Sequence, residues 1–169
     1  TIPADRLAPE HEGTWIHVQG NLAVPELRDP LTGVRARTWR LDRRVRSTDG
    51  DGSGPTPPDD AWAAETLELG SWRLSTHGYG PRTQEPLPER TLASAPLQNG
   101  WQRGDGGLRS EAHPDALVTY TYAPMPEGIW SALGVARNDT LDPGALGAGP
   151  VLVPGASQGP RALDLEAVD

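Results

Sequence analysis

The sequence predicts a mainly β protein, barrel- or sandwich-like, with one or two short helices. Three observations lead to this fold class. Glycine and proline are frequent, with 20 and 18 residues of 169, whereas hydrophobic residues make up only 36% of the chain. Phe is absent, so six Trp and three Tyr must supply the large core side chains. Short segments that alternate polar and apolar residues lie between turn residues, which is typical of strands in a sheet.

The first strands are predicted before residue 47. The segment from Trp15 to Leu22 alternates, with Ile16 and Val18 on one side, and this period predicts a half-buried strand. The longest strand candidate runs from Val34 to Arg46. Its apolar residues change parity part of the way along, which predicts a bulge or a strong bend near Thr38.

The middle of the chain is predicted to combine a short helix with short strands. The helix is expected from Ala61 to Leu69, because Asp59 or Asp60 is suited to cap its first turn. A short strand is expected from Trp72 to Ser75, and another around Leu92.

The last third is predicted to begin with a hairpin. Its strands would run from Leu117 to Ala123 and from Ile129 to Val135, joined by the loop from Met125 to Gly128. Short strands are expected at 151–153 and 163–168. We interpret residues 1–169 as a single domain, with two similar β units as an alternative whose boundary would lie near 100–115.

Composition excludes several classes of function. A formal net charge of -8 opposes binding to nucleic acid, because that affinity comes largely from neutralising phosphates. With no Cys there is no thiolate chemistry and no Cys-based metal site. No stretch approaches the roughly 18 to 20 apolar residues that cross a bilayer, and Thr1 does not begin a signal peptide. All 15 basic residues are Arg, which we interpret as the mark of a GC-rich, bacterial genome.

The sequence predicts no catalytic residue, no metal site and no cofactor. The histidines lack the close pairing of a zinc site. The trio of Ser110, His113 and Asp115 matches no nucleophile motif. The loop from Asp49 to Asp60 has oxygens at the spacing of a calcium-binding loop, but its prolines and its final Asp favour a solvated loop that does not bind calcium usefully.

One strand has an unusual density of arginine. Arg40, Arg44 and Arg46 share a face with Asp42. One interpretation is a charge-mixed face in contact with solvent. The other is a contact surface for anionic lipid headgroups or for an acidic protein partner, and these three arginines are the predicted contact residues.

The segment from Pro9 to Val45 also carries an ordered set of motifs. A Pro-x-x-Glu-Gly phrase precedes an apolar-His-apolar strand, a Gly, and a Leu followed by an Asp-Pro turn, and then a Gly-Val and a Leu-x-Arg-Arg-x-Val strand. In this order and spacing the segment resembles the extramembrane domain of the transmembrane protein 43 family, also called LUMA. The matching residues are Pro9, Glu12, Gly13, His17, Gly20, Leu27, Asp29, Pro30, Gly33, Val34, Leu41, Arg43, Arg44 and Val45.

Two later segments are similar to the same family more loosely. Leu69 to Ser75 is similar to its Gly-x-aromatic-x-Leu-Ser segment, and Asp115 to Pro143 is similar to a later pair of strands that begins with Val-x-aromatic-x-Tyr. The family's Met-Tyr-Gln-Trp after the Arg-Arg strand is replaced here by Arg46 to Gly52, and its long charged hairpin and a helical stretch are shortened.

The resemblance implies a non-catalytic scaffold or sensor domain of a polytopic membrane protein. The full-length protein would be anchored in a membrane, with this domain extracytoplasmic, or lumenal in eukaryotic relatives. Its partners would be a protein or the membrane surface, without nucleic acid. The alternative from another class is a hydrolase or metal-dependent enzyme with scattered site residues.

Overall fold

The computed structural model describes residues 2–48, 56–75, 79–81, 84–124, 129–142, 151–154 and 165–167. The chain is mainly β, with a closed five-stranded barrel and little helix, which confirms the predicted fold class. The described part of the chain contains no helix long and apolar enough to span a bilayer.

Within these ranges the regular elements are short strands, one 3-10 helix at Pro9–His11 and one α-helix, α1, at Glu89–Ala93. The strands, in chain order, are β1 (Ile2–Pro3), β2 (Trp15–Ala23), β3 (Glu26–Arg28), β4 (Arg35–Arg37), β5 (Arg40–Ser47), β6 (Asp60–Ala63), β7 (Thr66–Leu69), β8 (Trp72–Ser75), β9 (Tyr79–Pro81), β10 (Glu85–Pro86), β11 (Trp101–Gly104), β12 (Gly107–Ser110), β13 (His113–Tyr122), β14 (Ile129–Arg137), β15 (Thr140–Asp142), β16 (Val151–Pro154) and β17 (Leu165–Ala167).

The chain divides into two compact units that interleave along the sequence. Unit 1 comprises Thr1–Pro25, Ala64–Thr83 and Met125–Asp169, and unit 2 comprises Glu26–Ala63 and Gln84–Pro124. The boundaries between the units do not lie near the alternative position at 100–115, because unit 2 consists of two separate insertions between strands of unit 1.

Unit 1 is built on the barrel. Strands β2, β7, β8, β15 and β14 form a ring that closes because β14 pairs with β2 over seven residues, from Ile129↔Asn21 to Val135↔Trp15. All neighbours in the ring are antiparallel except β8 and β15, which are parallel. When the five strands are numbered by their order in the chain, they follow one another around the ring as first, second, third, fifth and fourth. This is the strand order of an OB-type barrel.

The barrel strands alternate as the sequence analysis expected for β2. Ile16 and Val18 are buried at alternate positions of this strand, and Leu67 and Leu69 repeat the pattern on β7. The short strand from Trp72 to Ser75 is also confirmed. After β7 the chain turns tightly at Gly70, where a φ of +58° and a built Cβ only 2.1 Å from the Ala4 carbonyl oxygen leave room for no other residue.

Unit 2 is an antiparallel sheet in the order β11-β12-β13-β5-β6, with β10 also paired to β13. A two-stranded ribbon, β3 with β4, packs its Leu27 and Ala36 against the core of this unit. That core is apolar and aromatic, and its buried members are Val34, Ala36, Leu41, Leu87, Trp101, Leu108, Ala116, Val118 and Tyr120.

The predicted change of parity near Thr38 corresponds to a break between two strands. The chain bends at residues 38–39, so β4 lies in the ribbon and β5 in the main sheet of unit 2. The Thr38 hydroxyl is buried in this bend and donates a hydrogen bond to the carbonyl of Ala123, 2.7 Å away. The bend therefore has a side-chain anchor.

Three predictions of local structure were wrong. Ala61 to Leu69 is not helical, since β6 and β7 occupy it and Thr66–Leu69 has the alternating burial of a strand. Leu92 lies in α1 and not in a strand. The strands β13 and β14 do not form a hairpin, because they belong to different sheets; the loop at residues 125–128 lies outside the described residues.

The alternation of the sequence predicts one shared core of Ile16, Val18, Leu22, Trp39, Leu41, Val118, Tyr120 and Leu133. Most of these residues are buried, but the cluster that contains Leu41, Val118 and Tyr120 does not include Ile16 and Val18. Ile16 and Val18 are buried in unit 1, whereas Trp39 is buried in the part of the chain assigned to unit 2. Leu133 is 39% exposed, so its assignment to the core was wrong. Its position on β14 is opposite His17, on the polar face of β2.

Candidate functional site

The most polar buried feature of unit 2 begins in the turn between β3 and β4. The Asp29 carboxylate is fully buried and accepts a hydrogen bond from the backbone N–H of Leu31 at 2.8 Å, which is the local bond of an Asx turn. The turn is closed by two backbone bonds, from Asp29 N to Val34 O and from Gly33 N to Asp29 O. The carboxylate is thus aimed into the unit by its own loop.

Arg43 of β5 supplies the charge that balances Asp29. Its Nη1 donates to both carboxylate oxygens, at 2.8 and 3.0 Å, and the pair is almost fully buried. Nε and Nη2 donate to the carbonyl of Pro58, and the guanidinium lies over the ring of Trp62, 5.4 Å from its centroid. A buried charge needs such partners, because isolated burial would cost several kcal/mol.

Tyr120 of β13 completes what we call the Asp29 network, which comprises Asp29, Thr32, Arg43 and Tyr120. The phenol donates to the Asp29 carboxylate at 2.5 Å and lies 2.5 Å from the Thr32 hydroxyl. Burial, and then the hydrogen bond to Asp29, raise the pKa of the Tyr120 phenol far above its usual range. The phenol is therefore a neutral donor at every physiological pH.

The Asp29 network is suited to a structural role. Its carboxylate, guanidinium and phenol bind one another and the backbone, and all four side chains are buried. A nucleophile or general base must reach a substrate, and no group of this network is accessible for that purpose. The network joins three segments that are far apart in the sequence.

The predicted contact residues lie on the outer face of β5, but they differ in solvent exposure and in their ion pairs. Arg40 is half-buried and its Nε donates to the Asp42 carboxylate at 2.9 Å. Arg44 is exposed and its Nη2 is 4.0 Å from Asp42, while Arg46 is exposed as well. Gln84 also donates to Asp42, at 2.6 Å. The exposed positive charge of this face is thus carried by Arg44 and Arg46.

A shallow pocket of about 230 Å³ opens beside these arginines. Cations line the side of β5 and acids line the edge strand β6, so its charge is mixed. Asp59 and Asp60 are partly occupied, since they accept the backbone N–H groups of Val45 and Ala61. The lining residues are Arg40, Asp42, Arg43, Arg44, Asp59, Asp60 and Ala61.

The charges are distributed unevenly between the two units. Unit 2 contains 10 Arg against 12 Asp and Glu, a formal charge of -2, whereas unit 1 contains 5 Arg against 11 acids, a charge of -6. The described exposed side chains of β7 and β8 are Thr66, Glu68 and Arg73. In OB barrels these second and third strands form the ligand face, but here it offers one cross-strand Glu-Arg pair and no exposed aromatic ring.

The other candidates from the sequence are used locally. The Ser110 hydroxyl accepts the N–H of Ala112, and the His113 ring stacks on Trp101 with 5.8 Å between centroids. Within the described ranges, no three His, Asp or Glu side chains are grouped to hold a metal ion. Residues 49–55 of the predicted acidic loop lie outside the described residues.

Sequence reasoning missed the Asp29 network, although one signal for it exists. Arg43 has the parity of Leu41 and Val45, the apolar residues of its strand. A cation at an inward position requires a buried carboxylate. The partner, however, lies in a turn whose approach to β5 no local pattern reveals.

Comparisons with known proteins gave no match: no family model, no curated protein and no solved structure is similar to this chain.

Proposed function

We propose that this chain is a non-catalytic scaffold or sensor domain of a polytopic membrane protein of the transmembrane protein 43 family. The domain would be extracytoplasmic in a bacterium, as the lumenal domain is in eukaryotic relatives. The OB-type strand order by itself assigns no function, because one fold serves many functions.

The observation that carries the proposal is that residues from three of the matching motifs belong to one buried hydrogen-bond network. Asp29 comes from the Asp-Pro turn, Arg43 from the Leu-x-Arg-Arg-x-Val strand, and Tyr120 from the Val-x-aromatic-x-Tyr strand. These side chains form the buried network, with contacts of 2.5 to 3.0 Å. Chance matches scattered over 91 residues would have no reason to converge on one carboxylate. Their convergence supports a shared fold.

Matching residues in unit 1 also have structural tasks. The Glu12 carboxylate accepts the backbone N–H of Asn138 at 2.8 Å. Gly13 has a φ of +77° and its N–H donates to the carbonyl of Ala136. Glu12 and Gly13 of the matching motif thus have structural roles and need no contact with a substrate, which supports a non-catalytic role.

A scaffold or sensor needs an exposed contact surface, and we assign it to Arg44 and Arg46, with Arg40 beside them. Alternate residues on one face of a strand lie about 6.6 Å apart along the backbone. This spacing matches carboxylates at alternate positions of an extended acidic partner. Anionic headgroups are the other contact that the face offers.

Membrane residence is tested in the full-length protein with an epitope tag next to this domain. Cell fractionation should place the tag in the membrane fraction. Protease added outside spheroplasts should remove it, whereas a cytoplasmic control protein stays intact. A tag in the soluble fraction, or one that is digested only after lysis, would contradict the proposal.

The contact surface is tested separately by photo-crosslinking in the same full-length protein. A photoreactive residue at Arg44 or Arg46 should give discrete adducts with a protein or with lipid. The matched control is the same residue at Glu68, an exposed strand position in unit 1. Equal adduct patterns at the three positions would remove β5 as the contact surface.

A further inference from the structure

The ribbon of β3 and β4 presents a second set of arginines. Its register pairs Glu26 with Arg37, Leu27 with Ala36 and Arg28 with Arg35. Leu27 and Ala36 contact the core of unit 2, so the other four side chains share the opposite face, where all are exposed. This outer face, which we call the ribbon face, carries three guanidinium groups and one carboxylate.

Two of these cations are placed directly opposite each other. Residues in register on antiparallel strands have Cβ atoms about 4.5 to 5.5 Å apart, and like charges there are destabilising. The position of Arg28 is fixed by a neutral group, because its Nη2 donates a hydrogen bond to the Gln98 side-chain oxygen at 2.7 Å. Arg35 has only a loose contact with Glu26, at 3.7 Å. The pairing of Arg28 with Arg35 is therefore unfavourable in the free protein.

The loop that joins the two strands is held rigidly. Gln98 donates to the carbonyl of Pro30 at 2.7 Å, and its own N–H binds the carbonyl of Thr32 at 2.9 Å. Asn99 donates to the carbonyl of Leu31 at 2.7 Å. Beneath the loop, Asp29 is fixed by the buried network. The two arginines thus project from a preorganised hairpin, so binding of a ligand does not have to order the loop.

We propose that the ribbon face binds a phosphate group between Arg28 and Arg35, with Arg37 at its side. Each guanidinium presents a planar fork of donors, and a phosphate offers three acceptor oxygens and up to two negative charges. It can therefore bind two opposing guanidinium groups at once and remove their repulsion. A carboxylate has only one negative charge, so it would neutralise only one of the two cations.

The ribbon face suits an anion better than the β5 face does. On β5 the space between Arg40 and Arg44 is already filled by Asp42, and Asp59 and Asp60 lie nearby. On the ribbon no carboxylate separates Arg28 from Arg35. This site is independent of the proposed function, whose contact surface is on β5, and it exists in the isolated chain whether or not a membrane is present.

The test uses the isolated chain with inorganic phosphate as the probe, at constant ionic strength set by chloride. The side-chain Nε–Hε resonances of Arg28 and Arg35 should shift in a saturable NMR titration. Arg28→Gln with Arg35→Gln should weaken binding at least about tenfold, a factor that corresponds to 1.4 kcal/mol. The matched control is Arg109→Gln with Arg137→Gln, two exposed strand arginines outside both the ribbon face and β5, which removes the same charge and should leave the affinity unchanged.

A second arm separates the sources of the phosphate. Co-sedimentation compares phosphatidylcholine vesicles with and without phosphatidic acid. Loss of vesicle binding in the ribbon variant assigns the site to a lipid headgroup, while binding of inorganic phosphate alone assigns it to a soluble ligand; both outcomes support the site.

Three outcomes would overturn the site. One is no binding to either probe by the wild type, and another is equal weakening in both double variants. The third is a ribbon variant that loses binding only because it melts several degrees lower. Removal of a like-charge pair should leave its midpoint equal to that of the wild type or higher.

Discussion

Tyr120 donates a hydrogen bond to the carboxylate of Asp29, 91 residues earlier in the chain, at a distance of 2.5 Å. Asp29 has no exposed surface and Tyr120 is 3% exposed, so water cannot replace either partner. The bond connects the turn of the ribbon to the central strand β13. Much of the stability of unit 2 should therefore depend on groups that no local sequence pattern brings together.

Removal of this donor is the first prediction. Tyr120→Phe keeps the ring but removes one hydrogen bond from the Asp29 carboxylate and one from the Thr32 hydroxyl, so the free energy of unfolding should fall by about 1 to 3 kcal/mol. The measurement is urea denaturation followed by Trp fluorescence. Tyr122→Phe, on the same strand and half-buried, is the matched control and should change stability by less than about 0.5 kcal/mol. Equal stability of both variants would contradict the role of the bond.

Stability should also fall in alkali. The pKa of Tyr120 is raised in the folded state, so above pH of about 10 the unfolded chain releases its phenol proton while the folded chain retains it. The unfolded state then binds fewer protons, and the free energy of unfolding decreases by up to about 1.4 kcal/mol per pH unit. The contribution is complete below pH 10 and is lost as pH rises.

Denaturation curves between pH 8 and 11 measure this slope. Tyr120→Phe lacks the phenol that ionises, so the loss of unfolding free energy with rising pH should be smaller by the contribution of about one proton. The Phe variant nevertheless is less stable at neutral pH. Absorbance of phenolate gives a second readout, since Tyr120 should ionise only as the chain unfolds. An unchanged slope in Tyr120→Phe would show that another group causes the loss.

Short alternating segments allowed most strands to be predicted, but not their partners. The alternation of β2 and β7 reflects the one-sided burial of each strand, which is a local property. The pairing of β14 with β2, and not with β13, is a long-range property that no residue of the loop between them encodes. The helix expected at 61–69 was wrong because strand pairing overrides local helix propensity: β6 pairs with β5, and β7 pairs with β8.

The candidate site shows the same division. The outward parity of Arg44 and Arg46 follows from period 2 alone, and the structure places them on the exposed face. The inward position of Arg43 could have been inferred in the same way. Its partner Asp29 could not, because a turn residue reaches a strand 14 positions later only through tertiary packing.

Gly33 should resist substitution for two reasons that add. Its φ is +84°, and a built Cβ would lie 2.4 Å from the carbonyl oxygen of Pro96. The backbone term alone is about 1 to 2 kcal/mol, and the clash adds to it because a backbone oxygen cannot easily move. Gly106→Ala is the matched control: its φ is +78°, but its nearest contact is an ordinary 3.7 Å to Leu117. Thermal melts should show a larger loss for Gly33→Ala, and equal losses would indicate that the loop relaxes.

Lipid binding by the β5 face should be weak and salt-dependent. Arg40 is held by Asp42, so Arg44 and Arg46 supply about 1 kcal/mol each, opposed by Asp59 and Asp60. We expect low-salt co-sedimentation with phosphatidylserine vesicles that is reduced in the triple Gln variant of Arg40, Arg44 and Arg46. The double variant that keeps Arg40 should lose nearly as much. Equal binding by the wild type and the triple variant would remove lipid as the contact of this face.

Adjacent arginines on β5 should respond very differently to the same substitution. Arg43→Met leaves the Asp29 carboxylate buried without its cation and removes the contact with Trp62, so it should cost about 3 to 5 kcal/mol. Arg44→Met removes an exposed charge 4.0 Å from Asp42 and should cost less than about 1 kcal/mol. Both variants change the net charge equally, so the difference between their unfolding free energies, measured by urea denaturation, reports the effect of burial.

A double variant tests whether Asp29 and Arg43 act as a pair. Asp29→Asn combined with Arg43→Met should cost less stability than the sum of the single changes, because the unpaired charge is then gone. Strict additivity would mean that the two groups do not act as a pair.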